Sequence, residues 1–160
     1  LRDEGVRHDV IQACFDLGGQ DDLVLLVARV KAVQALLETE DGANLLAAYR
    51  RASNIVAAEA KKDGRAFDEA PDPAKAVEDA ERSLFEALGA VEPRVAAALE
   101  AEDFGAAMAA MAALRAPVDV FFDDVTVNAD DPALRENRLR LLNALRALMR
   151  RAAAWEAIQD

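Results

Sequence analysis

The 160-residue sequence has few of the side chains on which most catalytic and metal sites depend. It contains one Cys, one His, one Trp and one Tyr, and aromatic residues make up 5% of the chain. With His8 as the only histidine, neither a histidine metal cage nor a Ser-His-Asp constellation can be assembled. Cys14 has no second cysteine to pair with, so a reducing, cytoplasmic setting is expected. We therefore expect no catalytic site, no metal and no cofactor on this chain.

Signals for strands and for membrane spans are also scarce. Sustained Val/Ile/Thr alternation is nearly absent, and no run of 18 residues is free of charge, so neither a sheet nor a membrane span is expected. The chain begins with Leu1 rather than Met and shows no signal-peptide pattern, so we expect a piece of a longer protein. The length suits one domain over residues 1–160.

The sequence is rich in alanine and in helical periodicity. Apolar residues make up 53% of the chain and recur at spacings of three and four, which predicts an all-α bundle of about six or seven helices. Capping residues mark the predicted helix starts: Asp21 or Asp22, Thr39, Asp72 before Pro73, Asp103, and Asp131 before Pro132. Predicted breaks fall at Gly18-Gly19, over a polar loop 63–73, at Gly89 and before Pro117. A short helix is predicted after Pro93, and residues 118–128 are predicted to be irregular or briefly helical. The last helix is predicted to reach about Trp155.

The formal net charge of −11 is unevenly distributed along the chain. Residues 63–103 hold 4 basic and 12 acidic side chains, whereas residues 132–160 hold 6 basic and 3 acidic ones. Phosphate contacts are local, so a basic strip can bind nucleic acid on an acidic body. The same cations also fit a solvated surface or helix C-termini, and charge alone leaves both readings open.

Arg138 falls on the apolar stripe of the last helix, in step with Leu134, Leu141 and Leu145. A guanidinium on a core-facing stripe needs carboxylate partners, because an unpaired buried charge is costly. We predict a structural ion pair with the acids just upstream, which are Asp123 and Asp124, with Asp130 and Asp131 as further candidates. A direct RNA contact is the alternative.

Several segments together resemble a known family. The longest is FFDDVTVNADD at 121–131, followed by ALRENRL at 133–139, with further pieces at 5–11, 39–46 and 49–55. They are similar to the C-terminal anticodon-binding domain of bacterial glycyl-tRNA synthetase beta subunits, which is of the DALR class. The resemblance covers essentially the whole chain, and Thr126 departs from the hydrophobic residue usual at its position.

The resemblance implies a helical domain that holds the anticodon stem-loop of glycine tRNA. It also implies that glycine activation takes place on a separate alpha subunit, so the partners are tRNA, the rest of the beta subunit and the alpha subunit. The candidate tRNA-binding residues are Arg50, Arg51 and Asn54 on one helix and Arg135, Asn137 and Arg146 on another. Arg50, Arg135 and Arg146 are predicted to contact phosphate, and Asn54 and Asn137 to read bases. For Arg51 and Asn54 a packing role is the alternative.

This interpretation predicts that the acidic segment 63–103 faces away from the RNA. The competing hypothesis is a helical protein-interaction module without RNA binding. It would use the alanine-rich face of residues 106–113, with Met108 and Met111 as adaptable contacts.

Overall fold

The computed structural model describes residues 8–17 and 23–155, and this part of the chain contains helices and no strand. The helices are α1 (His8–Leu17), α2 (Leu23–Leu37), α3 (Glu40–Asp63), α4 (Asp79–Glu100), α5 (Phe104–Ala112), α6 (Arg115–Asp124) and α7 (Pro132–Arg150), with a 3-10 turn at Pro73–Lys75. The predicted all-α fold class is confirmed. The predicted break at Gly18-Gly19 and cap at Asp21 or Asp22 lie outside the described residues.

Three of the predicted capping residues begin helices as expected. The Thr39 hydroxyl accepts a hydrogen bond from the Gly42 N–H at 3.0 Å, and the Asp103 carboxylate accepts one from the Ala106 N–H at 3.0 Å. The Asp131 carboxylate accepts from the Ala133 N–H at 2.9 Å. These side chains satisfy N–H groups that the first helical turn leaves without an intrahelical partner.

The prediction for residues 72–100 was wrong in two respects. Asp72 caps only the short 3-10 turn, and α4 begins later, at Asp79. Gly89 and Pro93 do not divide α4, which continues through both. Pro93 removes the hydrogen bond to the Gly89 carbonyl, but both residues are exposed, so water can solvate that carbonyl. Burial of the apolar side chains on the opposite face of α4 outweighs the lost bond.

The chain between Leu114 and Trp155 agrees with the prediction of a brief helix and differs from it at the end of the last helix. Residues 115–124 form α6, with Pro117 in the first turn, where its missing N–H costs little. Helix α7 ends at Arg150, short of Trp155. The Trp155 indole N–H instead donates to the Met149 carbonyl at 2.6 Å, and this bond folds the chain back under the end of α7.

The buried side chains form one hydrophobic cluster to which every α-helix contributes. Helix α3 packs against α7 and α6, and α4 packs against α5, α6 and α7. Cys14 is buried in this cluster, and burial raises the pKa of its thiol to about 11, an effect that the charge of Arg29 only partly offsets. A neutral, inaccessible thiol is a packing group and not a nucleophile.

One segment, residues 104–124, is long and apolar enough by composition to cross a membrane. It consists of α5 and α6, and its apolar side chains Met111, Val118 and Phe121 are fully buried in the protein core. Arg115 within it forms ion pairs with Asp41 and Asp119. Core helices pass the same composition test, so packing accounts for the apolar character of this segment.

Candidate nucleic-acid interface

A cleft of about 480 Å³ opens between α3 and the loop that joins α6 to α7. Its lining residues are Arg51, Asn54, Ile55, Ala58, Glu59, Phe122, Val125, Thr126, Val127 and Asn128. Two of the predicted tRNA-binding residues, Arg51 and Asn54, therefore lie together at this cleft. Both are exposed. The walls combine aliphatic side chains with two carboxamides, a combination suited to a flat, partly polar ligand.

Arg51 and Phe122 form one edge of the cleft. The Arg51 guanidinium carbon lies 4.4 Å from the centre of the Phe122 ring, within the range of a cation–π interaction. Phe122 in turn packs edge-to-face on the buried Phe121, with ring centroids 5.8 Å apart. Arg51 is thus held against Phe122 and remains exposed, and an exposed guanidinium is a group on which an unpaired base stacks.

Arg135 supports the opposite wall of the cleft. Its guanidinium contacts Asp63 at 2.7 Å and Glu59 at 2.9 Å, and its Nε–H donates to the Asn128 Oδ1 at 2.9 Å. The Arg135 hydrogen bond lowers the pKa of the Asp63 carboxyl, and the same bond raises the pKa of Arg135. Since its side chain is only 17% exposed and already binds two carboxylates, we reassign Arg135 from phosphate ligand to a residue that joins α3, α7 and the loop.

Arg138 binds the loop between α6 and α7 from the protein interior. One Arg138 nitrogen donates to the Thr126 carbonyl at 2.7 Å, and another contacts Glu81 of α4 at 2.8 Å. Arg138 is 5% exposed and Glu81 is fully buried. The ion pair is therefore internal, but its partner is not Asp123 or Asp124, as predicted, since both of these are exposed at the end of α6.

Glu81 is positioned by the start of α4. Its Oε1 accepts hydrogen bonds from the backbone N–H groups of Glu78 and Val77 at 3.0 and 3.3 Å, as well as from Arg138. Burial alone raises the pKa of Glu81, but the Arg138 hydrogen bond and the backbone donors together hold this pKa below its ordinary value. The loop at the cleft is thus tied through Arg138 to the first turn of α4.

The prediction that Asn137 reads a base does not agree with its position. Asn137 is 3% exposed, and its carboxamide bonds the Asp72 backbone at both ends: Oδ1 accepts from the N–H at 2.7 Å and Nδ2 donates to the carbonyl at 3.1 Å. A buried amide with both ends satisfied fixes the 3-10 turn against α7. Asn137 is therefore a structural residue.

Of the other predicted phosphate ligands, Arg146 lies where α7 meets α3. Arg146 donates to the Ser53 hydroxyl at 2.9 Å and to the Asn143 Oδ1 at 3.0 Å. Arg50 is half-buried on α3. Near the cleft, the exposed cations of α3 are Arg51, Lys61 and Lys62. The spacing of Arg51, Asn54, Ala58 and Lys62 places these four residues on one face of that helix.

In the described ranges, no group of three His, Cys, Asp or Glu side chains is arranged to hold a metal.

Comparison with known proteins gives the family. The model of the DALR anticodon binding domain matches residues 45–155, a range that includes most of α3 and all of the cleft residues. The chain belongs to the DALR anticodon-binding domain family. This assignment agrees with the all-helical fold of the DALR domain and with the resemblance seen in its sequence.

Curated relatives align with nearly the whole domain. The chain is 53% identical over 159 residues to a glycine–tRNA ligase beta subunit of Cereibacter sphaeroides, 52% identical over 160 residues to one of Rhodospirillum centenum, and 47% identical over 159 residues to one of Paracoccus denitrificans. Each alignment covers 99% of this chain. The chain spans 22–23% of the length of these relatives.

The sequence interpretation missed the residues that the end of α6 and the α6–α7 loop contribute to the cleft. Phe122, Thr126 and Asn128 all lie in the segment 121–131, which carried the family resemblance but was not read as part of a site. A carboxamide at Asn128 and an aromatic ring at Phe122 were visible in that segment. Their proximity to α3 was not, because it depends on the tertiary contacts of Arg135 and Arg138.

The structure also bears on the competing hypothesis of a protein-interaction surface on α5. Met108 and Met111 are buried in the core, so they cannot serve as the adaptable contacts of an interface. A shallow groove of about 580 Å³ remains between α4 and α5. It is lined by Arg94, Ala97, Ala98, Ala101, Asp103, Ala106, Ala109 and Ala110.

Proposed function

We propose that this DALR domain binds the anticodon stem-loop of glycine tRNA as part of a glycine–tRNA ligase beta subunit. Its role in the full enzyme is to position the tRNA for aminoacylation at an active site on the alpha subunit, in the cytoplasm. The domain itself contributes binding and no chemical step. Its further partners are the rest of the beta subunit and the alpha subunit. The assignment to the DALR anticodon-binding family is the observation that carries this proposal.

The cleft supports the proposal by its shape and chemistry. Anticodon bases are single-stranded, so they can be splayed out, stacked on flat side chains and hydrogen-bonded along their edges. Arg51 over Phe122 supplies the flat surface, and Asn54 and Asn128 supply hydrogen-bonding groups in the same cleft. Lys61 and Lys62, exposed at the end of α3, supply charge for the backbone.

The overall acidity of the chain does not oppose this role. The residues of segment 63–103 do not line the cleft, and within that segment Asp63 is neutralised by Arg135. The carboxylate that lines the cleft, Glu59, is paired with Arg135, and Arg51 adds a cation to the same lining. Because phosphate neutralisation is local, a basic helix face is sufficient on an acidic protein.

A binding titration at stated salt tests the proposal. We expect glycine tRNA to bind more tightly than the same transcript with an exchanged anticodon. Arg51→Ala should weaken binding by about 1–3 kcal/mol, the usual contribution of one stacked base. Lys62→Ala should reduce the dependence of log K on log salt by roughly 0.7–0.9. Arg94→Ala, which removes the same charge from the groove between α4 and α5, should leave tRNA affinity unchanged.

Equal affinities for the two transcripts would contradict anticodon reading. If the chain does not bind tRNA at low salt, where phosphate contacts are strongest, the result instead favours the competing protein-interaction surface, which needs no RNA.

A further inference from the structure

We infer that the cleft accepts one unpaired base whose edge presents hydrogen-bond acceptors to Asn128, and that Arg135 sets this preference by fixing the orientation of the Asn128 carboxamide. The inference rests on the proposed function and assigns a specificity-determining residue and a positioning residue within it. The chemical class of the ligand is a nucleobase with two adjacent acceptors on one edge.

The orientation of the Asn128 side chain follows from its neighbour. A guanidinium has only donors, so the atom that lies 2.9 Å from the Arg135 Nε must be the carboxamide oxygen. The free end of the side chain is therefore the Nδ2 amino group. Asn128 is exposed and lines the cleft, so it offers a ligand the two N–H donors of Nδ2, while its oxygen is already engaged by Arg135.

Arg135 itself has little freedom to move. Its two terminal nitrogens bind Glu59 and Asp63, both on the last turns of α3. The planar fork of the guanidinium allows these bonds and the bond to Asn128 to form together. Lysine, with one ammonium on a flexible stem, cannot reproduce the three contacts in this geometry. The direction of the Asn128 amino group therefore depends on Arg135 being arginine.

The remaining walls fix the plane of the base. Ile55, Ala58 and Val127 provide aliphatic contacts in the cleft, and the guanidinium carbon of Arg51 lies 4.4 Å from the centre of the Phe122 ring at the edge. A base stacked on Arg51 lies in the same cleft as the carboxamides of Asn54 and Asn128. Asn54 is exposed in the same cleft and offers both a donor and an acceptor, so it can match whichever group remains on that edge.

Two base edges carry adjacent acceptors. Cytosine presents O2 and N3 on its Watson–Crick edge, and guanine presents O6 and N7 on its Hoogsteen edge. In uracil an N–H donor replaces the N3 acceptor, and this donor would face the Asn128 amino group. We therefore expect uracil to be rejected at this cleft.

The experiment measures base preference rather than total affinity. Glycine tRNA transcripts with one anticodon cytosine at a time changed to uracil, or one guanine at a time changed to 7-deazaguanine, are titrated with the unaltered chain, Asn128→Asp and Arg135→Lys. For the unaltered chain we expect one substitution to weaken binding about tenfold, near the lower end of the discrimination expected of a good base contact. Whether that substitution removes a cytosine N3 or a guanine N7 identifies the base.

Asn128→Asp replaces the two donors by an acceptor of nearly the same shape. It should remove the tenfold preference by weakening binding of the unmodified transcript alone. Arg135→Lys should lower the preference to within about twofold while affinity for the substituted transcript changes little. Arg82→Lys, at an exposed ion pair on α4, is the control for an arginine-to-lysine change and should leave the preference intact.

The outcomes separate this inference from the proposed function. Anticodon discrimination that survives both Asn128→Asp and Arg135→Lys overturns the inference and leaves the proposed function standing. A chain that does not discriminate between any of the transcripts overturns both. Loss of preference in Asn128→Asp but not in Arg135→Lys keeps the base contact and overturns the positioning role of Arg135.

Discussion

At the scale of single residues, two arginines one helical turn apart on α7 determine the shape of the candidate site. Arg135 and Arg138 both look like exposed cations or RNA ligands by residue type, yet both are bound to carboxylates of other helices. Their partners Asp63 and Glu81 are 72 and 57 residues away in sequence. Periodicity places Arg138 on the core side of α7, but no local pattern identifies an acid so distant.

We expect Arg138→Met to lower the free energy of unfolding by about 3–5 kcal/mol, because it leaves the buried Glu81 without its counter-charge. The matched control is Arg82→Met, since Arg82 pairs with Asp79 at 2.9 Å but is exposed. A surface substitution of this kind should change stability by no more than about 0.5 kcal/mol. Urea unfolding followed by circular dichroism measures both, and equal effects would show that the buried pair does not stabilise the fold.

At the scale of elements, the connection from α2 to α3 depends on a close approach of two backbones. A Cβ added to Gly42 would lie 1.8 Å from the Leu36 carbonyl oxygen, and the Thr39 hydroxyl donates to that same oxygen at 2.6 Å. The turn is therefore built for a residue without a side chain at position 42. Gly89 in α4 differs, since a Cβ there would meet no atom within 4 Å.

These two glycines should respond to alanine in opposite directions. Gly42→Ala should destabilise the protein by about 1–3 kcal/mol, because the turn must open to accommodate the methyl group. Gly89→Ala should raise the free energy of unfolding by roughly 0.5–1 kcal/mol, since alanine has less conformational freedom to lose in a helix. Thermal unfolding of both variants measures the difference, and a destabilising Gly89→Ala would contradict the continuous α4.

The elements that could be predicted from the sequence are those whose signal lies in neighbouring residues. The caps Thr39, Asp103 and Asp131 act within three residues, so sequence alone located them. The continuity of α4 across Pro93 could not be read in this way, because it depends on Val91 and Val95, which are nearly or fully buried against other helices. Likewise, Arg51 and Asn54 were visible as candidates on α3, whereas the loop wall opposite them required the fold.

At the scale of the whole molecule, two carboxylates make stability depend on pH in the acid range. Folding lowers the pKa of Glu81 and of Asp63 from their ordinary values of 4.5 and 3.8. A lowered folded-state pKa gives stability that is fully present above the unfolded pKa and is lost as the pH falls through the folded pKa. Both groups therefore act in the same direction.

We expect the free energy of unfolding to decrease below about pH 4.5, and to do so less steeply in Glu81→Gln, which cannot titrate at that position. Gly89→Ala is a suitable control because it shifts stability without removing a titratable group. Its curve should run parallel to that of the unaltered chain. Urea titrations at a series of pH values provide the measurement, and an unchanged slope in Glu81→Gln would contradict the lowered pKa.

The tryptophan that follows α7 is an intrinsic fluorescence probe of the fold. Trp155 is the single tryptophan of the sequence; it is 1% exposed, and the adjacent Ala154 N–H donates to the Ala13 carbonyl of α1 at 3.0 Å. Its indole emission therefore reports whether the segment after α7 is docked against α1. Because Trp155 does not line the cleft, RNA bound there should leave the emission wavelength constant while unfolding shifts it to the red. One fluorescence trace can thus separate a variant that has lost its ligand from one that has lost its fold.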